Sequence, residues 1–434
     1  MWWKRKLDLQ GEAFFRGTLA PTLESLQGLA EVGVEVEVVN PAGQEVWAAN
    51  LRHRHWGTAR LSARRGAVLP PEIVIRLASG LTDSERKTIL NEAQSVLRLE
   101  VASQTGDVLR DRKQFLRFLG AVLGRDGVAG MDLLGQTYWT PGRLSDELRH
   151  DAALDIIHVH VLHVVEHPGG VWLHSHGLAQ MGFVDFDVLR PAQDLLQNQF
   201  DLLRSIAFQI VEGASSGMIE PAVGAHPVEL VDAPTFMRSA SESDRALRDP
   251  EGHSDNRVVC CDSKSGGLLS RLFGAKGLRP SRLLSQGMVE GQHLIRFSDL
   301  STDLTAARAR DSLSLLEPFR SEFADLQCVA LVKMRYAPDS RSDGSEHLWF
   351  EVHRVNGDRV DATLVNDPFD IASMKAGQRA HHDVDRLTDW TLLTPLGQLT
   401  PRTLEVARKL REERPRILEF LRSRQKGSDP PVGA

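Results

Sequence analysis

The sequence predicts an α+β protein. Short alternating strands and amphipathic helices are interspersed through the first half. A histidine-rich β-hairpin occupies the middle, and a run of five short strands with tight turns precedes a basic C-terminal helix. The expected layout is an N-terminal mixed sheet with helices over residues 1–230 and a flexible, partly disordered linker over 231–297. A small β-barrel-like module with flanking helices follows over 298–426, then a tail at 427–434.

Val34 to Val38 alternates strictly and reads as a strand with one wet face. Pro41-Ala42-Gly43 turns the chain, and Glu45 to Leu51 returns. Ile73 to Leu77 reads as another strand. Thr82 with Glu85 forms a capping box, opening a helix with Ile89, Ala93 and Val96 on one stripe. Leu97 to Val101 is again a strand. Arg112 to Leu123 is amphipathic, with Phe115, Leu116, Leu119 and Leu123 on its apolar face. Ile156 to Val165 and Val171 to His176 form the hairpin across His167-Pro168-Gly169-Gly170. Phe183 to Leu189 is a third strand, and Pro191 opens a helix to about Glu212. The stretch from Ser239 to Ser285 is rich in Ser, Gly, Arg and Asp and carries no clear period.

Ser301 caps a helix to about Asp325 that Pro318 kinks or divides. Val329 to Tyr336 opens the C-terminal module. Leu348 to Val355 and Arg359 to Val365 pair across Asn356-Gly357, a turn expected to need positive φ at both positions. Lys375 to Gln378 makes a second tight turn, and Thr388 to Leu393 closes the sheet. Thr400-Pro401 starts the last helix.

A length of 434 residues suits two or three domains, and 41% hydrophobic with 25% charged residues is ordinary for a soluble protein. MWWKRKLDLQG carries charge where a signal peptide needs an apolar core, so none is expected. No run of about eighteen apolar residues is present, so no membrane partner is expected. The three cysteines, Cys260, Cys261 and Cys328, read as reduced thiols in a cytoplasmic protein. A net charge of -6 argues against general nucleic-acid binding, and the arginine-rich last helix carries enough glutamate to read as a solvated face. No P-loop, dinucleotide fingerprint or G-x-S-x-G motif is present.

Six of the sixteen histidines lie between His158 and His176. In a strand, residues two apart share a face. His158 and His160 therefore share one face, His163 and His167 the other, and His174 and His176 share a face of the return strand. If the turn pairs Glu166 with Trp172, then His158, His160, His174 and His176 meet on one surface. A register one residue different sends the two pairs to opposite faces. Both registers are open at this level, and histidines that only pack in a half-buried sheet are the plainer alternative.

His174-Ser175-His176 followed by Asp187 resembles the metal site of the JAMM metalloproteases, the zinc isopeptidases. That resemblance implies zinc held by His174, His176 and Asp187, an open position for water, and a glutamate base. Glu166 is the nearest glutamate. The chain departs from the pattern at Gly177, where the family has Pro, and at Val184, where it has Ser. Zinc is the one cofactor this pattern implies.

Two broader resemblances exist. VWLHSHGLAQMGFVDFDVL is similar to the WLHTHGL-containing segment of uncharacterised bacterial cytoplasmic proteins. The segment from His347 to Trp390 resembles the YegJ-like domain of unknown function, through Trp349-Phe350-Glu351-Val352, Gly357-Asp358, LVNDPFDI (364–371), Lys375-Ala376-Gly377 and Asp389-Trp390. These imply no reaction. The residues still have a physical reading: Leu348, Phe350 and Val352 point one way, and Trp349, Glu351 and His353 the other. Asn366 and Asp367 can close an Asx turn before Pro368, and Phe369 can plug the end of a barrel. Trp349, Asn366, Asp367 and Phe369 are the candidate binding residues, with a groove between Trp349 and Trp390 as the sharper form of that idea. The leading expectation is a cytoplasmic binding or regulatory protein. The partner is unidentified, with a protein left open, and a metal-dependent hydrolase is the alternative.

Overall fold

The computed structural model describes residues 9–66, 69–78, 80–102, 107–158, 160–181, 183–191, 203–204, 207–208, 222–223, 226–248, 257–262, 299–340 and 344–427. The chain forms two compact units. The first holds residues 1–69, 93–138 and 154–301. The second holds residues 70–92, 139–153 and 302–434.

The first unit contains two sheets. One comprises β1 (Leu9–Phe15), β2 (Glu35–Val39), β3 (Glu45–His53), β4 (Gly57–Arg64), β5 (Ser95–Val101), β6 (Gly127–Asp132) and β7 (Thr137–Trp139), in the order β2-β3-β4-β5-β1-β6-β7. The helix Val108–Leu123 packs on it through Phe115, Leu116, Leu119 and Leu123, all buried as its period predicts. Glycines allow that approach. A Cβ at Gly11 would lie 2.5 Å from Phe115 Cζ, and one at Gly130 would lie 2.6 Å from Leu119 Cδ2. Arg112 is buried under the same helix against Asp132, and burial lowers its pKa to about 9.

The second sheet comprises β8 (Val161–His167), β9 (Gly170–His176), β10 (Asp185–Leu189), β11 (Ala222–Val223), β12 (His226–Asp232) and β13 (Arg257–Asp262). Its order is β11-β12-β13-β10-β9-β8, so β8 is an edge strand. β10 and β13 run parallel and the other described pairings of this sheet are antiparallel. Two short helices, Ala233–Ser239 and Glu242–Arg245, follow β12. Part of the expected linker is thus built into a sheet: Val231, Val259 and Cys261 share a core with Trp172, Leu189 and Phe236. The polar composition of 239–285 hid a strand whose Arg-Val-Val-Cys-Cys-Asp run is short but fully buried at its centre. Residues 249–256 and 263–285 of that stretch, and most of the helix expected from Pro191 to Glu212, lie outside the described residues.

In the second unit the sheet comprises β14 (Val329–Tyr336), β15 (Glu346–Asn356), β16 (Arg359–Leu364), β17 (Arg379–Asp383), β18 (Leu387–Thr394) and β19 (Gly397–Leu399). Its order is β17-β16-β15-β14-β18-β19. The expected barrel-like closure does not occur. β17 and β19 are free edges of an open sheet, and one face packs on helical segments through Leu313, Leu316, Phe319, Val332, Phe350, Trp390 and Leu410. Pro318 sits in the first turn of the helix Leu316–Glu322, where it costs no hydrogen bond, so the break falls upstream at Leu313–Leu315. The turn between β15 and β16 is Gly357-Asp358, because Asn356 pairs with Arg359. Only Gly357 has positive φ there, +60°. The expected strand Ile73 to Leu77 is a helix, Glu72–Leu77, entered from Pro70-Pro71. So short an apolar run does not distinguish the two by period.

Residues 70–92 and 139–153 belong to this unit, and Glu85 shows how. The expected capping box forms: Thr82 N–H donates to Glu85 Oε2 at 2.8 Å, and Glu85 N–H donates to Thr82 Oγ1 at 3.2 Å. Glu85 Oε1 also accepts the Thr140 hydroxyl at 2.6 Å and stands 3.2 Å from Arg408 Nε of the last helix, Glu405–Gly427. One carboxylate therefore joins three segments far apart in sequence. We expect Glu85→Ala to destabilise the protein by about 2 kcal/mol, since it removes a cap and two further polar contacts. Glu72→Ala, which removes only an exposed pair with Arg76, should cost under about 0.5 kcal/mol. Urea denaturation of both variants checks this.

Candidate functional site

The turn of the histidine hairpin is two residues long. His167 pairs with Gly170 across Pro168-Gly169, and Gly170 has φ +140°. The register follows: Glu166 pairs with Val171, Val165 with Trp172, His163 with His174 and Val161 with His176. This is one residue away from the register that pairs Glu166 with Trp172. Directly opposed residues share a face, so His163, His174 and His176 lie together. Their candidate ligand atoms all lie within 4.8 Å of one another. Ring centroids are 5.3 Å apart for His163 and His174, 4.9 Å for His163 and His176, and 5.0 Å for His174 and His176.

His158 and His160 are not part of this group. Residues Ile156–His158 form a single 3-10 turn capped by Asp155, whose Oδ1 accepts from Ile157 N–H at 3.1 Å, and the strand begins at Val161. His160 is buried beside Phe186, with ring centroids 5.3 Å apart, and burial lowers its pKa to about 3. It is a neutral core imidazole.

Asp187 shares the sheet face of His174, its direct cross-strand partner. Its carboxylate is committed elsewhere. Arg248 Nε donates to Oδ2 at 3.0 Å, and Arg257 donates to Oδ1 from Nε at 2.9 Å and from Nη2 at 2.8 Å. Asp187 and both arginines are buried. The same Arg257 Nη2 reaches the carbonyls of Ser175 at 2.8 Å and Phe186 at 3.2 Å, tying β9 to β10. The structure brings His174 and His176 together, as expected, but with His163 and not Asp187 as the third member. Nearby Asp185 organises the end of β9: it accepts from the Ser175 hydroxyl and from Leu178 N–H, both at 3.0 Å. Burial raises its pKa and the Arg257 guanidinium opposes that rise. Trp172 lies against His174 in a tilted arrangement, with centroids 4.3 Å apart and ring planes at 34°. Glu166 is exposed on the opposite face of β8, so it does not stand over the histidines. Cys260 and Cys261 are buried strand residues, and burial pushes the Cys260 thiol up.

The C-terminal candidates are differently placed. Leu348, Phe350 and Val352 are core, as expected. Trp349 is half-buried on the outer face of the sheet, with Lys333 Nζ 5.6 Å from its ring. Trp390 is fully buried on the inner face and donates from Nε1 to Ser312 Oγ at 3.0 Å. The two tryptophans face opposite sides, so they form no common groove. Asn366 and Asp367 do not make the expected Asx turn. Asp367 Oδ1 accepts from Ala376 N–H at 2.8 Å, and the Asn366 amide reaches Asp367 O at 3.4 Å.

Phe369 plugs nothing; it is 96% exposed. Its loop is nevertheless held firmly. Glu346 accepts from Phe369 N–H at 2.6 Å and from Asp370 N–H at 3.0 Å. Asp339 N–H donates to Asp370 O at 2.7 Å, Ser340 donates to the Asp370 carboxylate, and Ala372 N–H donates to Asp339 Oδ2 at 2.7 Å.

Sequence reasoning missed His163, Arg248, Arg257, Asp339 and Glu346 as site residues. For His163 a signal existed: two-residue loops are the commonest hairpin connection, and Pro168-Gly169 read as such a loop gives the observed register. The arginines lay in the presumed linker, with no periodicity to place them.

The hairpin and β10 fall within residues 159–231, which match a family described as "Protein of unknown function (DUF4026) C-terminal". Residues 308–413 match a family described as "Uncharacterized protein conserved in bacteria (DUF2314)". The chain carries two domains of unknown function. The second contains Trp349, the Asn366–Asp370 loop and the open sheet. Comparison with curated proteins and with solved structures finds no match. Among the described residues, no helix is long and apolar enough to cross a membrane.

The arrangement around Asp187 makes a direct prediction. Removing it takes the carboxylate counter-charge from two buried guanidinium groups, so Asp187→Ala should cost about 3–5 kcal/mol of stability in metal-free protein. A carboxylate whose main role was metal ligation would cost little in the metal-free state. Chemical denaturation in chelator distinguishes the two.

Proposed function

We propose that this chain is a cytoplasmic binding protein without catalytic activity of its own, and that it meets a protein partner through the Phe369 loop. The YegJ-like resemblance of this region fits a module that binds, since it brings no reaction with it. The single observation that carries the reading is an exposed phenylalanine on an immobilised loop. A fully exposed aromatic ring forgoes about 2 kcal/mol of burial, and a mobile loop would let it fold back. Here Glu346 and the Asp339–Asp370 contacts hold it outward. Rigid aromatic anchors of this kind are what protein interfaces use as hot spots, because little conformational entropy is lost on docking.

The surroundings specify the partner's chemistry. Asp339, Glu346, Asp367 and Asp370 ring the loop, and Val365 adds exposed apolar surface. The complementary surface is an apolar pocket with a cationic rim. The hydrolase alternative is less well supported, because Asp187 is bound by two arginines and Glu166 points away from the histidines.

A photo-crosslinking phenylalanine analogue at position 369, in cells expressing the full chain, tests the proposal. We expect one predominant protein adduct, with basic residues flanking the crosslinked pocket. Glu346→Ala should weaken it about tenfold by freeing the loop, while Phe369→Ala should leave stability within about 0.5 kcal/mol. Adducts no different from those at exposed Leu19 would overturn the proposal.

A further inference from the structure

The histidine face of the first unit carries an inference independent of the Phe369 loop. We propose that His163, His174 and His176 form a binding site for one zinc-class transition-metal ion. Asp187 is not part of it, so this is a different donor set from the His-x-His…Asp pattern in the sequence.

Three features carry the proposal. The first is convergence. Three imidazoles from two adjacent strands have ligand atoms within 4.8 Å of one another. Nitrogens on one tetrahedral ion at about 2.0–2.1 Å stand roughly 3.4 Å apart. Binding requires that difference to be closed by rotations about the side-chain bonds with the strands fixed in place. The second is support. Trp172 lies against the His174 ring, and β9 is tied to β10 through Arg257 and through Asp185. Two of the three ligands therefore stand on a strand held from behind. The third is access. His163 and His176 are partly exposed, and β8 is the sheet edge, so an ion reaches the group from solvent.

The donor set selects the metal. Three neutral nitrogens suit Zn²⁺, Co²⁺, Ni²⁺ or Cu²⁺, whereas Mg²⁺ and Ca²⁺ require oxygen ligands. Cys260 and Cys261 do not compete, being buried in β13. Three protein ligands leave one tetrahedral position for water or a small anion. An ion here would also clamp the edge strand β8 to β9, so binding should raise the thermal midpoint.

The test uses the full chain, prepared without a histidine tag and stripped by chelator. It is titrated with Zn²⁺ by calorimetry and with Co²⁺ by visible absorption. We expect one ion per chain and the intense spectrum of four-coordinate cobalt without a thiolate charge-transfer band. His163→Gln, on the exposed edge strand, should weaken binding at least about tenfold, while His167→Gln at the turn should not. Absence of binding by the stripped protein would overturn the proposal. So would binding that His163→Gln leaves unchanged while the variant's circular dichroism is native. If that variant does not fold, the cobalt spectrum decides. A thiolate band or a weak six-coordinate spectrum would overturn the site.

Discussion

A two-residue turn at Pro168-Gly169 sets the pairing of His163 with His174, and the whole composition of one sheet face depends on that pairing. Strand side chains alternate with a period of two, so a slip of one residue exchanges faces completely. With the observed register, Val165, Trp172 and Leu189 lie on the face that packs against the short helices. His163, His174 and His176 continue that same face along β8 and β9, beside the Arg248–Asp187–Arg257 group. An apolar core and a cluster of nitrogen donors thus stand side by side on one surface.

Acidic side chains do much of the holding in both units. Asp187 neutralises two buried arginines, Asp185 pins the end of β9, Glu85 joins three segments, and Glu346 and Asp370 fix the Phe369 loop. Each is an acceptor for several donors, and together those contacts define conformations that short loops would not otherwise keep. This pattern turns attention from carboxylate chemistry to the imidazoles and to Phe369. It is also why, among the described residues, the Asp187 carboxylate is committed to Arg248 and Arg257 and not to the histidines.

Much of the fold is legible in the sequence because its signals are local. The Thr82–Glu85 capping box, the Phe115–Leu119–Leu123 stripe and the alternation at Leu348–Phe350–Val352 all appear where their spacing places them. The histidine site is half legible. His174 and His176 follow from strand alternation alone, whereas His163 needs the register, which the turn length decides. Arg248 and Arg257 were not legible, since a long-range contact leaves no periodic trace in a polar stretch. The exposure of Phe369 was misread for a related reason: Glu346 lies 23 residues away, and only the folded sheet brings its carboxylate to the loop.

The register itself is the most direct point of attack. Both members of the decisive pair are histidines, so a sample labelled only in histidine reports on it by nuclear Overhauser contacts. The structure predicts a cross-strand backbone contact between His163 and His174. Its absence, with contacts instead placing His174 opposite Val164 in a second sample labelled in histidine and valine, would contradict the shared face.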